Sequence, residues 1–323
     1  MPTTVYYATN RALSGPADRL ASYGSSAVAP SDPNAVTYGT AFVNDSNLHA
    51  DTVGAITALQ DFGQGRFSET AVNDLSNPGR NLLVFIHGFD NSFENAITRA
   101  AYNREWLAAS GLTGADTSVV AFSWPSIGKL ITLPFPDSAY RRDQTTAGQS
   151  GLHLMSFFAN LEPLIASARQ NGSRVFLLAH SMGNWALQAA VESWFSHGNG
   201  DADLFDEAVL AAADELYNSF DYLPDGRLSG LDRLSRRIST YASQEDAVLK
   251  LSMAVNLGAK RLGQDGPHDR YDTSRFPTAR YRVVDCGGFT DYHIDLASSH
   301  QYYRRSPGVR LDIARTFAGA VWA

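Results

Sequence analysis

Cysteine is almost absent: 323 residues contain one, Cys286. One thiol cannot close an intrachain disulfide, and no Cys/His cluster has zinc-ligand spacing, so packing must hold the fold and no metal site is expected. Long apolar runs are missing too. None approaches the length of a membrane span, and the opening residues lack the basic segment and apolar stretch of a secretory leader, so a cytoplasmic protein is the expectation. Positive charge is in the minority. Lys and Arg number 26 against 33 Asp and Glu, a formal charge of −7, which removes nucleic acid and anionic membranes as default partners.

What the sequence does contain is a series of short, continuous apolar runs at 82–86, 118–124, 174–179, 207–212, 237–242 and 281–286. Runs of that length without alternation suit parallel strands buried on both faces. Amphipathic helical patterns lie between them, at 93–107, 151–169, 184–195, 245–259 and 308–321, and Asn91-Ser92-Phe93-Glu94 has the form of a capping box. This alternation predicts an α/β fold with a mostly parallel sheet flanked by helices. Residues 1–80, rich in Asn, Asp, Ser, Gly and Thr, carry weak strand signals at 5–8, 36–39 and 41–44 and read as an N-terminal extension of antiparallel edge strands and loops.

One domain over 1–323 is expected, with insertions, because three connections are too long to be simple links: 125–146, 215–234 and 256–280. The first is unusually apolar, with Ile127, Leu130, Ile131, Leu133 and Phe135, and reads either as a lid or pocket wall or as a loop packed on its own domain.

The third apolar run ends in Ala179-His180-Ser181-Met182-Gly183-Asn184 and is followed by a helical pattern. Strand, tight turn and helix around a serine flanked by small residues form a nucleophile elbow, with Ser181 as the nucleophile. Alanine at 179 replaces the first glycine of the usual pattern and still fits. The helix behind Ser181 favours developing negative charge. The first run closes in Phe85-Ile86-His87-Gly88-Phe89, in the place that supplies an oxyanion-hole donor in this architecture. The backbone N–H groups of Phe89 and Met182 are the expected donors, Gly88 lets the backbone approach the substrate, and His87 reads as a buried structural histidine.

A serine nucleophile needs a base, and the base needs a carboxylate. In α/β hydrolases they follow in the order Ser, Asp/Glu, His. Asp246, after the fifth run, is the favoured acid; Asp214, after the fourth, is its rival. Topology removes most of the eight histidines and leaves His293 and His300, both beyond the last strand and not separable by position.

Together these residues resemble a bacterial α/β-hydrolase family long described as a domain of unknown function. The resemblance spans nearly the whole chain and is carried by Tyr7-Ala8-Thr9-Asn10-Arg11, His87-Gly88-Phe89-Asp90-Asn91-Ser92-Phe93, Ser123-Trp124-Pro125-Ser126, His180-Ser181-Met182-Gly183-Asn184, Tyr241-Ala242-Ser243-Gln244-Glu245-Asp246-Ala247 and His300-Gln301-Tyr302-Tyr303. It implies Ser181 as nucleophile, Asp246 as acid and, over His293, His300 as base. The expected activity is cofactor-free hydrolysis of a small-molecule carboxylic ester through an acyl-enzyme. Candidate acyl-pocket residues are Gly88, Trp124, Ile127, Leu133, Phe135 and Trp185, the aromatic and aliphatic ones being equally suited to core packing. Two rival readings remain: cleavage of an amide, peptide or thioester, or acyl transfer, by the same triad; and a non-catalytic binding scaffold.

Overall fold

The computed structural model describes residues 2–44, 46, 48–50, 54–114, 116–127, 137–221 and 227–319. The chain opens with β1 (Thr3–Thr9), a hairpin of β2 (Arg11–Leu13) and β3 (Tyr23–Ala27), and strands β4 (Thr37–Asn44) and β5 (Ala55–Gln64). Helix α1 (Glu69–Leu75) leads into β6 (Arg80–Ile86), α2 (Phe93–Ala109) and β7 (Asp116–Ser123). Next come α3 (Asp137–Gln149), α4 (Gly151–Gln170), β8 (Val175–His180), α5 (Gly183–Ser196), β9 (Glu207–Ala211), β10 (Ile238–Ala242) and α6 (Ala247–Val255). The last elements are α7 (Leu262–Asp265), β11 (Tyr281–Asp285), α8 (Tyr302–Arg305) and α9 (Pro307–Phe317).

Among the described residues nine strands form one sheet in the order β11-β10-β9-β8-β6-β7-β1-β4-β5. The pairings from β11 to β1 are parallel, and β4 runs antiparallel to both β1 and β5. All six apolar runs are strands of this sheet; those in β6 to β10 are continuous because both faces are covered, whereas β11, at the edge, is half-buried. Leu82, Val84 and Ile86 enter one apolar core, with α4 and α5, while Leu83 and Phe85 enter the other, with α2 and α9.

Four details differ from the sequence reading. Strand β1 is not at an edge: it lies inside the sheet, parallel to β7, with Val5 and Tyr7 on one face and Tyr6 and Ala8 on the other, all buried. Its Thr and Tyr content hides the two-faced burial, since the hydroxyls find partners, Tyr7 with Tyr23 at 2.7 Å and Tyr6 with Asp74. The signals at 36–39 and 41–44 belong to one strand, β4. The connection after β7 contains a helix, α3, from Asp137 onward; Leu133 and Phe135 fall outside the described residues. The cap of α2 is Ser92, whose hydroxyl accepts the Asn95 N–H at 3.1 Å. Asn91 is engaged elsewhere.

The sheet order creates the crevice that positions the site. From β6 the chain steps to β7 on one side, then returns to β8 on the other. The loops after β6 and β8 therefore diverge at the C-terminal ends of adjacent strands, a topological switch point of the kind where open α/β sheets bind ligands.

Candidate active site

Ser181 stands at that switch point with φ of 54°, in the left-handed region that a side chain other than glycine's seldom adopts. The turn is clamped from several sides. Ser181 N–H donates to Ala211 O at 3.0 Å, and Ser181 O accepts from Asn184 N–H at 3.0 Å, Asp214 N–H at 3.1 Å and Asn184 Nδ2 at 3.0 Å. Close packing dictates the small residues. A Cβ on Gly183 would lie 2.5 Å from His87 O, and one on Gly88 would lie 2.6 Å from Ser181 Cβ. The β6 loop and the elbow thus touch backbone to backbone.

His300 reaches the elbow from the far end of the chain. Its Nε2 is 2.7 Å from Ser181 Oγ, and its Nδ1 is 2.6 Å from Asp246 Oδ2. The three side chains are 4%, 3% and 0% exposed for Ser181, His300 and Asp246, so the hydrogen-bonded chain is shielded from bulk water. Asp246 sits at the N-terminus of α6, where its Oδ1 also accepts the Leu249 N–H at 2.9 Å. A second link ties the two loops together, from Ala247 N–H to Ser299 Oγ at 3.1 Å. Tyr302 anchors the His300 segment to the sheet through a 2.7 Å bond to Tyr241 O.

The competing residues are placed elsewhere. The His293 side chain is 85% exposed and lies 3.8 Å from Asp295. Asp214 is bound by Tyr140 Oη at 2.9 Å and Ser252 Oγ at 2.5 Å, with Arg261 Nε 3.5 Å away. His180 packs against His300, ring centroids 4.9 Å apart, and its Nε2 donates to His300 O at 3.2 Å. Burial, with the neighbouring His300 ring as a lesser cause, pushes the His180 pKa well below the usual imidazole range, so the ring is a neutral prop. His87 is buried as well, with its pKa pushed down to about 3 by burial and by the Arg11 charge. Its ring stacks on Trp124 at 5.0 Å and 7°, and Trp124 Nε1 donates to His87 O at 2.7 Å.

Of the named pocket residues, Trp124 is wholly buried behind the β6 loop, whereas Ile127 and Trp185 are half-buried. Phe89 lies against Tyr140 with centroids 5.9 Å apart. Met182 is fully buried at the N-cap of α5, where N–H groups and helix dipole favour an anion. Composition and motif reading missed the groups that hold this loop in place, Arg11 and Asp143, along with the bonding of Asn91. Arg11 belongs to a quoted motif, but its bonds depend on tertiary contacts; Asp143 lies in a stretch with no apolar pattern.

A groove of about 810 Å³ opens at the other end of the sheet, lined in part by Thr3, Tyr6, Phe42, Asp74, Arg80 and Asp116. Arg80 and Asp116 begin β6 and β7, whereas Ser181 follows the end of β8, so this groove is remote from the hydrogen-bonded chain. Among the described residues no cluster of His, Cys, Asp or Glu is arranged to hold a metal ion, and no helix is long and apolar enough to cross a membrane.

No curated protein matches the sequence significantly. Solved structures similar to the chain include one described with LipS and LipT, two metagenome-derived lipolytic enzymes, at 11% identity and TM-score 0.34, covering 75% of this chain and 94% of that one. Another is the apo form of Thermogutta terrifontis esterase 2, at 12% identity and TM-score 0.33, covering 74% of this chain and 80% of that one. The model of a family described as alpha/beta hydrolases of unknown function (DUF900) matches residues 66–316, most of the chain, and the protein belongs to that family.

Proposed function

We propose that the protein is a serine hydrolase that cleaves carboxylic esters through an acyl-enzyme. The observation that carries this reading is the pair of short contacts, 2.7 Å and 2.6 Å, that join Ser181, His300 and Asp246 from positions far apart in sequence. Ser181 Oγ attacks the ester carbonyl while its proton passes to His300 Nε2. Asp246 Oδ2 accepts the Nδ1–H, which fixes the tautomer and stabilises the imidazolium. The tetrahedral oxyanion is held by the N–H groups of Phe89 and Met182. His300 returns the proton to the leaving alcohol, and water repeats the sequence on the acyl-enzyme. The low exposure of all three side chains strengthens each of these interactions by excluding solvent.

A ladder of p-nitrophenyl esters from short to long acyl chains tests the reading, beside Ser181→Ala, His300→Ala and His293→Ala. The first two are expected to lose about 10³-fold or more in kcat, and His293→Ala to keep its activity. Turnover that survives Ser181→Ala would overturn the assignment of the nucleophile. Activity confined to matched amides or thioesters would move the reaction to those acyl compounds with the same residues. Folded protein that neither turns over any acyl substrate nor reacts with a fluorophosphonate at Ser181 would favour a binding scaffold.

A further inference from the structure

One buried carboxylate ties together the loops on the β6 side of the site. Asp143, wholly buried on α3, accepts from Ser126 Oγ at 2.5 Å, from Ile127 N–H at 3.1 Å and 3.2 Å with its two oxygens, and from the Asp90 N–H. Asp90 is in the left-handed region with φ of 62°, so its bond to Asp143 holds a turn that the chain would not favour alone. Ser126 passes the interaction on, because its hydroxyl accepts the Asn91 N–H at 3.1 Å while donating to Asp143. Arg11, 1% exposed, grips the same loops from behind, with Nη2 on Asn91 O at 2.9 Å and Nη1 on Ser126 O at 3.2 Å.

The held residues converge on one peptide unit. Asn91 Nδ2 donates to Gly88 O at 2.9 Å and to Phe89 O at 2.8 Å. The Gly88 carbonyl and the Phe89 N–H belong to the same planar trans peptide, so a bond that fixes the carbonyl also fixes the opposite direction of the N–H. The chain of contacts therefore runs from Asp143 through Asp90, Ser126 and Asn91 to the orientation of the Phe89 N–H, next to the point where Gly88 packs on Ser181.

We propose that Asp143 is a positioning residue for the oxyanion hole, holding the loop after β6 so that the Gly88–Phe89 peptide presents its N–H to the reacting oxygen. The proposal rests on the Ser181 hydrolase reading and gives that reading a control point on α3. Asp143 touches no substrate. The Ile127 N–H, which can only donate, faces both carboxylate oxygens, so Asp143→Asn, which turns one of them into an amide donor, opposes that N–H and misdirects the loop with little change in volume.

The test measures Asp143→Asn and Ser126→Ala on the best p-nitrophenyl ester, with thermal unfolding to show that each is folded. Wild type and Ser181→Ala come first, because wild-type turnover that depends on Ser181 secures the underlying reading separately. Asp143→Asn is expected to lower kcat roughly 10- to 100-fold with KM changed by less than about threefold, the signature of an interaction made in the transition state. Affinity for a trifluoromethyl ketone, which adds to Ser181 and places an oxyanion in the hole, should fall by the same factor as kcat/KM. The double variant should lose less than the product of the single losses, since both act on one relay. A kcat within about threefold of wild type in Asp143→Asn, or ketone affinity unchanged while kcat falls, would overturn the proposal and leave the hydrolase intact. If Asp143→Asn fails to fold, Ser126→Ala decides alone, with a kcat-specific loss in favour and an unchanged kcat against. A wild type without Ser181-dependent turnover overturns both.

Discussion

Asp246 meets His300 with the one carboxylate oxygen that its helix cap leaves free: Oδ1 takes the Leu249 N–H at 2.9 Å and Oδ2 takes His300 Nδ1 at 2.6 Å. Capping α6 thus fixes the rotamer that orients the imidazole. The two duties can be separated by mutation. Asp246→Asn keeps a cap oxygen but presents an amide to His300, which favours the wrong tautomer; kcat is expected to fall about 10⁴-fold with stability nearly unchanged. Asp246→Ala should lose the same activity and in addition about 1 kcal/mol of stability. Turnover and urea denaturation measured side by side check this, and equal stability of the two variants would show that the cap contributes nothing.

The two small residues that flank Ser181 are not equivalent. A side chain at Gly183 would enter the His87 carbonyl, which is backbone and cannot swing aside. Gly183→Ala is therefore expected to cost roughly 1–3 kcal/mol and to displace the elbow, with turnover reduced 10-fold or more. Ala179 tolerates its methyl inside the apolar core of the sheet. Ala179→Gly should leave turnover within about threefold and cost less than about 1 kcal/mol. Comparable damage from both substitutions would contradict the packing argument.

Glu215 provides a pH prediction. It is wholly buried, one oxygen accepts the Leu216 N–H at 2.8 Å, and the other has no hydrogen-bond partner among the described residues. Burial, reinforced by the Asp214 charge, raises its pKa from 4.5 to about 8, against the opposing pull of the Leu216 N–H and Arg261. A folded pKa above the unfolded one means that folding favours the protonated acid. Its stabilising contribution is complete below about pH 4.5 and is lost as pH rises through about 8. Glu215→Gln imitates the protonated form permanently. Its melting temperature relative to wild type should therefore climb between those two pH values and then level off, and a difference independent of pH would refute the assignment.

Much of this architecture is legible in the sequence, for a physical reason. Strands buried on both faces cannot avoid continuous apolar runs, and the elbow needs small residues where backbones touch. The turn that holds Ser181 and the loop after β6 are readable on those grounds. Position after the last strand fits His293 and His300 equally. The choice between them came from family resemblance, and burial separates them: the His293 side chain is 85% exposed and the His300 side chain 3%. Strand β5 left no pattern because it is an edge strand, largely exposed along its length. Asp143 was illegible for another reason. Its partners are main-chain and hydroxyl groups in distant loops, and nothing in its polar helix marks it from neighbouring Asp137.

The place of β1 in the sheet sets an order of events in folding. Val5 pairs with Val119 and Thr9 with Ser123, and Arg11, directly beyond, binds loops after β6 and β7. One edge of β1 can pair early with the nearby β4, whereas its other edge must wait for β7, more than a hundred residues further along the chain. Closing so long a loop slows folding more than it lowers final stability. The loop after β6, gripped by Arg11, can reach its finished form only after the segment from β1 to Arg11 has docked on β7.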